Sequence, residues 1–176
     1  MTKIISVFGS SAPQPGSADY QQAYNVGKLL AQAGFAVATG GYGGVMAAVS
    51  QGAAEANGHV IGVTSVQIEL YRPLGPNQWV AEEIKYDSLR KRLLHLIIHN
   101  DGMITLPGGI GTLSEMTLAW SLLQVGEIEK RPFSLLGDIW YNTVHTFYDD
   151  AYVKQHDMEL LHFAKTPEEA VTRMHA

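Results

Sequence analysis

The chain has 176 residues, a formal net charge of -5 and 46% hydrophobic residues, enough apolar mass for one domain with a substantial core. Its acidic and basic residues are interspersed, which argues against the clustered basic footprint of a nucleic-acid binder. It has no cysteine, so disulfides, a thiol nucleophile and thiolate metal sites are all excluded. That absence fits a reducing compartment, and the first apolar run, Ile4–Phe8, is too short for a secretory signal, so a cytoplasmic protein is expected. No stretch approaches the ~20 apolar residues that cross a bilayer, and no membrane partner is expected.

In chain order, Ile4–Phe8 is a β-branched and aromatic run closed by Gly9-Ser10-Ser11, the pattern of a buried strand entering a loop. Residues 17–33 carry Ala23, Val26, Leu29, Leu30 and Ala33 at helical spacing, and Gly34 stops the helix. The unit repeats: a strand at 35–38, a glycine turn at 39–44, a helix at 45–56 stopped by Asn57-Gly58, and a strand at 60–63. Residues 64–85, with Pro73, Gly75 and Pro76, break the rhythm and read as a long functional loop, a lid or substrate loop. The rhythm resumes with a helix at 87–100, a strand at 102–106, a second glycine turn, and a helix at 113–124. A strand at Phe133–Leu136, a helix at 137–152, a short strand at 161–164 and a closing helix capped at Thr166-Pro167-Glu168-Glu169 complete the chain. Strands alternating with helices of this length predict a single domain over 1–176, a Rossmann-like doubly wound α/β parallel sheet with helices on both faces.

Ligands of open parallel sheets bind beyond the carboxyl ends of the strands, where helix starts present unpaired amides. Three turns qualify: Gly9-Ser10-Ser11, the turn holding Gly41, Gly43, Gly44 and Met46, and Pro107-Gly108-Gly109-Ile110-Gly111-Thr112. Glycine lets the backbone approach an anion closely, so phosphate is the expected guest. A lone glycine turn is commonly only a tight connection, but three at successive strand ends favour binding. The first turn lacks Gly-x-Gly-x-x-Gly and the second strand ends in Ala38-Thr39-Gly40 without a carboxylate, so a dinucleotide is not expected. No glycine turn is followed by the Gly-Lys-Ser/Thr of a nucleoside-triphosphate loop. Seven histidines lack metal-ligand spacing, and the His95, His99 pair lacks the zincin Glu, so neither a metal nor another cofactor is expected.

The run from Leu106 to Glu115 resembles the P-G-G-x-G-T-x-x-E signature of the LOG ("Lonely Guy") family, once labelled lysine decarboxylases. Val7-Phe8-Gly9-Ser10-Ser11 resembles that family's opening, and the run from Gly40 to Met46 its G-G-x-x-G-L-M turn. Arg92 falls at the Arg of its M-x-x-R-K motif and Asp101 at an Asp before the strand, while Leu89 and Leu93 replace the motif's Met and Lys. The resemblance implies a homodimer that hydrolyses the N-glycosidic bond of a cytokinin or purine nucleoside 5'-monophosphate, with Arg92 and Glu115 catalytic. The phosphate would rest on Gly108, Gly109, Gly111 and Thr112.

Each of these residues has a plainer reading. Thr112-Leu113-Ser114-Glu115 fits a capping box, in which Glu115 satisfies only an orphan amide. Arg92 lies beside an apolar stripe of Leu89, Leu93, Leu96 and Ile97 and fits a solvated flank as well as a bound phosphate or carboxylate. Arg90 and Lys91 are expected to face water, Tyr71 and Trp79 are candidates to stack on a base, and Trp120 and Trp140 read as core or dimer contacts. The rival function is a non-catalytic carrier or sensor of a nucleotide or a molybdenum-cofactor-type ligand on the same fold.

Overall fold

A computed structural model describes residues 2–176. Its elements run β1 (Ile4–Phe8), α1 (Ala18–Gln32), β2 (Ala36–Thr39), α2 (Val45–Glu55), β3 (Val60–Ser65), α3 (Val66–Tyr71), β4 (Glu82–Tyr86) and α4 (Leu89–Ile98). The second half runs β5 (Gly102–Thr105), α5 (Ile110–Gln124), β6 (Phe133–Leu136), α6 (Asp138–Phe147), α7 (Gln155–Met158), β7 (His162–Ala164) and α8 (Pro167–Thr172).

The strands form one seven-stranded sheet in the order β4-β3-β2-β1-β5-β6-β7, and every pairing is parallel. This is the Rossmann-like α/β architecture that the alternation of strand and helix predicts. The chain winds outward from β1 to β4, then returns to pair β5 on the other side of β1. The loops leaving β1 and β5 therefore diverge to opposite faces and open a crevice between them, the usual ligand position in such sheets.

Alternate strand residues face opposite layers, so each strand feeds two cores. Ile5, Val37 and Ile104 pack with Val26 and Leu30 of α1, Val49 of α2 and Val171 of α8. Phe8, Ala38 and Met103 pack with Leu96 of α4, Met116 and Trp120 of α5, and Trp140 of α6. Each large side chain buried this way contributes about 1.5–3 kcal/mol. Both tryptophans belong to the core: the indole N–H of Trp140 donates to Leu106 O at 3.0 Å and that of Trp120 to Asp157 O at 2.8 Å.

Residues 64–85 correct the expected irregular loop. Strand β3 runs on to Ser65, whose hydroxyl caps α3 by accepting from Ile68 N, and β4 pairs in parallel with β3. Only residues 72–81 are irregular, and Asn77 ties them down by donating its side-chain amide to Gly41 O and Tyr42 O, each at 3.0 Å. Helix α5 begins at Ile110 rather than 113, α6 ends at Phe147 rather than 152, and α7 is an element the periodicity does not reveal.

Helices α1 and α2 meet backbone to backbone, and a Cβ on Gly52 would overlap the carbonyl oxygen of Tyr24. Gly52→Val is therefore expected to destabilise the fold by about 2–3 kcal/mol, read from the urea midpoint at unchanged m-value. An unchanged midpoint would contradict this packing.

Candidate functional site

A cleft of about 450 Å³ opens at the β1/β5 crevice. Its wall takes Gly9, Ser10 and Ser11 from the β1 turn, Gly40, Tyr42, Gly43 and Met46 from the second turn, and Gly109, Gly111 and Thr112 from the start of α5. Arg92 of α4 and Glu115 of α5 enter it from the same side of the sheet. Ile68, Arg72 and Leu74, from α3 and the segment after it, complete the rim.

Gly109 is the N-cap of α5, and no side chain caps that helix. The capping-box alternative for Glu115 is thereby overturned, because Thr112 lies inside the first turn and Glu115 lies beyond it. The Leu113 amide is already satisfied by Gly109 O at 2.9 Å, which leaves the amides ahead of it facing the cleft with the positive end of the helix dipole. Such a helix start accepts an anion without further side-chain charge. Helix α1 does not compete, since Ser17 Oγ accepts from Tyr20 N at its start.

Arg92 is only 6% exposed. Its Nε donates to Val63 O at 2.8 Å, at the carboxyl end of β3, and its guanidinium lies 5.8 Å from the Tyr42 ring centroid. Tyr42 is itself pinned, its hydroxyl donating to Ser65 O at 3.2 Å and accepting from Ser65 N at 2.9 Å. Space for the guanidinium exists because residue 40 is glycine: a Cβ there would overlap Nη2 of Arg92 and reach 2.6 Å from Met46 Sδ. Across this fixed group, Nη1 of Arg92 stands 3.7 Å from Glu115 Oε1, a charge contact beyond hydrogen-bond length.

Burial dominates the titration of Glu115, raising its carboxyl pKa to about 7 against the opposing pull of Arg92. Burial also lowers the pKa of Arg92, opposed first by Glu115 and then by Tyr42. A carboxylate poised near neutrality in a cleft, beside a helix start that takes anions, is a general device for acid–base or charge-stabilising chemistry.

The other candidate residues divide clearly. Gly41, Gly44, Pro107 and Gly108 stand behind the cleft wall. Gly44 has φ +65° and lies against the backbone of Ser10 and Ser11, while Gly108 packs on the Thr112 side chain. Pro107 accepts from Ser10 N through its carbonyl at 3.2 Å, which joins the first and third turns. Asp101 accepts from Ile4 N at 2.8 Å, a scaffold contact. Tyr71 is 82% exposed, and neither it nor Trp79 lines the cleft. Arg90 and Lys91 face solvent as expected, and Leu93 packs into the core layer under α4. Gly40, Tyr42 and Arg72 were not singled out by the sequence; a glycine in a glycine-rich turn gives no sign that it is shaped for an arginine on another helix.

The family model described as possible lysine decarboxylase matches residues 46–174. Arabidopsis thaliana cytokinin riboside 5'-monophosphate phosphoribohydrolase LOG5 is 33% identical over 144 residues, 78% of this chain and 61% of that protein. The chain thus spans about three fifths of that relative's length. The probable cytokinin riboside 5'-monophosphate phosphoribohydrolase LOG6 of Arabidopsis thaliana is 34% identical over 152 residues, 85% of this chain and 74% of that protein. Among solved structures, the molybdenum cofactor binding protein of Rippkaea orientalis superposes with a TM-score of 0.76 at 26% identity, covering 98% of this chain and 94% of that one.

Displacing Arg92 without removing it tests the electrostatic account. Gly40→Ala is expected to leave the fold intact, push the guanidinium aside and raise the Glu115 pKa above its value in the parent, as read by carbon-13 NMR titration of the carboxyl. An unmoved Glu115 titration in a variant whose Arg92 has shifted would contradict it.

Proposed function

Because the chain belongs to the LOG family, whose model covers most of its length, we propose that it is a phosphoribohydrolase of nucleoside 5'-monophosphates. The observation that carries this reading is the Arg92–Glu115 contact at 3.7 Å in the same cleft as an uncapped helix start. The 5'-phosphate binds the first-turn amides of α5 from Gly109 to Thr112, and the Thr112 hydroxyl lies beside them. The ribose then extends toward Glu115, one helical turn further along α5.

In the reaction the C1'–N bond breaks, its electron pair leaves with the base, and water adds to C1'. Its proton balance closes with one proton on the base and one hydroxyl on the sugar, giving free base and ribose 5-phosphate. Positive charge grows on the ribose as the bond lengthens, and the Glu115 carboxylate stabilises it. Arg92, held by Val63 O and the Tyr42 ring, favours the ionised carboxylate from 3.7 Å, partly offsetting the burial that disfavours it. A homodimer belongs to this reading, supported by Ile110, Leu113, Ile139, Tyr141 and Phe147, large apolar side chains that α5 and α6 leave exposed.

The likeness to a molybdenum cofactor binding protein supports a second reading, a carrier that holds a phosphorylated ligand without turnover. The two part at Glu115. A carrier has no use for a carboxylate whose ionisation costs burial energy, whereas glycosidic cleavage requires its charge.

Incubation with a panel of purine and N6-substituted adenosine monophosphates is expected to release free base, detected chromatographically. No release from any member sinks the hydrolase reading in favour of the carrier. Glu115→Gln should lower kcat by ~100-fold or more while ligand binding largely survives, and the double variant with Arg92→Ala should be scarcely worse than either single one. The sign of the pH dependence follows from the raised pKa: below about 7 Glu115 is protonated and neutral, so the rate should climb as pH rises through that value. A rate that falls across the same range would assign Glu115 a proton-donating role instead.

A further inference from the structure

Among the described residues, three charged side chains line the cleft wall: Arg72, Arg92 and Glu115. Two of them are engaged. Arg92 gives Nε to Val63 O, lies against Gly40 and stands 3.7 Å from Glu115, so its charge already faces a carboxylate of the protein, although its terminal nitrogens make no hydrogen bond. A nucleoside monophosphate brings about two negative charges into a cleft that already contains a carboxylate, in a chain whose net charge is -5. Backbone amides supply partial charges only, and the remaining full positive charge on the wall is Arg72.

Its position suits that use. Arg72 is the residue that ends α3, its backbone N–H donating to Ile68 O at 2.7 Å, and Ile68 and Leu74 on either side of it also line the cleft. Its side chain leans across the mouth, with Nη1 donating to Ser11 Oγ on the β1 turn at 3.4 Å. That bond is long, goes to a neutral hydroxyl and is exposed to water, so a phosphate oxygen, which makes a shorter and stronger charge-assisted bond, readily replaces it. The backbone around it is firmly anchored, since Asn77 is tied to the second glycine turn and Gln67 of α3 accepts from Leu89 N at the start of α4. An exposed cation on an anchored segment thus lines the same cleft as the first-turn amides of α5.

We propose that Arg72 is the phosphate-gripping residue of this site, bridging from the β1 turn to the ligand's phosphate and selecting phosphorylated over unphosphorylated ligands. The idea rests on the phosphate-binding half of the function proposed above and deepens it, because it names the side chain that sets substrate class. Arg72 lies outside the Arg92–Glu115 pair and acts on binding, so its loss should raise KM and leave kcat for saturating monophosphate nearly as in the parent.

The test is isothermal titration of parent, Arg72→Ala and Arg72→Lys with ribose 5-phosphate, repeated at two salt concentrations. Arg72→Ala is expected to bind ribose 5-phosphate on the order of 10- to 100-fold more weakly and to show a shallower salt dependence. Arg72→Lys should recover part of the affinity, since it keeps the charge and loses the two-pronged geometry. Because the side chain is exposed, circular dichroism melting should be unchanged in both variants. A parent that binds ribose 5-phosphate no better than Arg72→Ala overturns the proposal. Failure of the parent to release base from nucleoside monophosphates is a separate result that sinks the hydrolase reading and leaves the Arg72 effect on ribose 5-phosphate standing.

Discussion

Glu115 and Arg92 are buried together, and much of the site's structure follows from that. Removing either charge from water costs several kcal/mol, and mutual attraction offsets this only when geometry is good and hydrogen bonds complete it. Here the pair stands at 3.7 Å without a hydrogen bond, so attraction loses to desolvation and the carboxyl titrates near 7 instead of near 4.5. In the proposed reaction the imbalance is useful: a carboxylate that ionises reluctantly is one whose charge a developing cation can stabilise strongly. Holding Arg92 against this cost uses a carbonyl at the end of β3, an aromatic face and a glycine that yields its side-chain volume.

The glycine-rich turns divide their labour around that pair. Some glycines line the cleft, where a side chain would narrow it. Others shape the wall from behind, as Gly44 does by letting the second turn lie on the backbone of Ser10 and Ser11. The first and third turns are joined by the Ser10–Pro107 hydrogen bond, so the crevice at the switch of strand order is a braced frame. A braced frame keeps the α5 amides aimed at one point, and preorganised donors are what make such a site effective.

Much of this was legible in the sequence. Short apolar runs mark β1, β2, β3 and β5, with glycine turns after β1, β2 and β5, and apolar spacing marks α1, α2 and α4. Strand β4, Glu-Glu-Ile-Lys-Tyr, escapes because it is an edge strand, where charged residues are tolerated and blunt further pairing. Helix α3 is too short for its period to register. The start of α5 is expected three residues late because the glycine-rich run before Leu113 reads as a turn, while the true N-cap, Gly109, carries no side chain to announce itself. Arg92 and Glu115 stand out through the resemblance to the LOG motifs, yet their contact does not, since α4 and α5 are brought side by side only by the sheet. Arg72 lay in a stretch without periodicity and is revealed only by the cleft it overhangs.

The proposed chemistry requires one direction of the ligand along α5. A crystal structure with ribose 5-phosphate bound measures this directly. The prediction is a phosphate on the amides from Gly109 to Thr112 with the anomeric carbon turned toward the Glu115 carboxyl. A phosphate lodged elsewhere, or a sugar pointing away from Glu115, would contradict it.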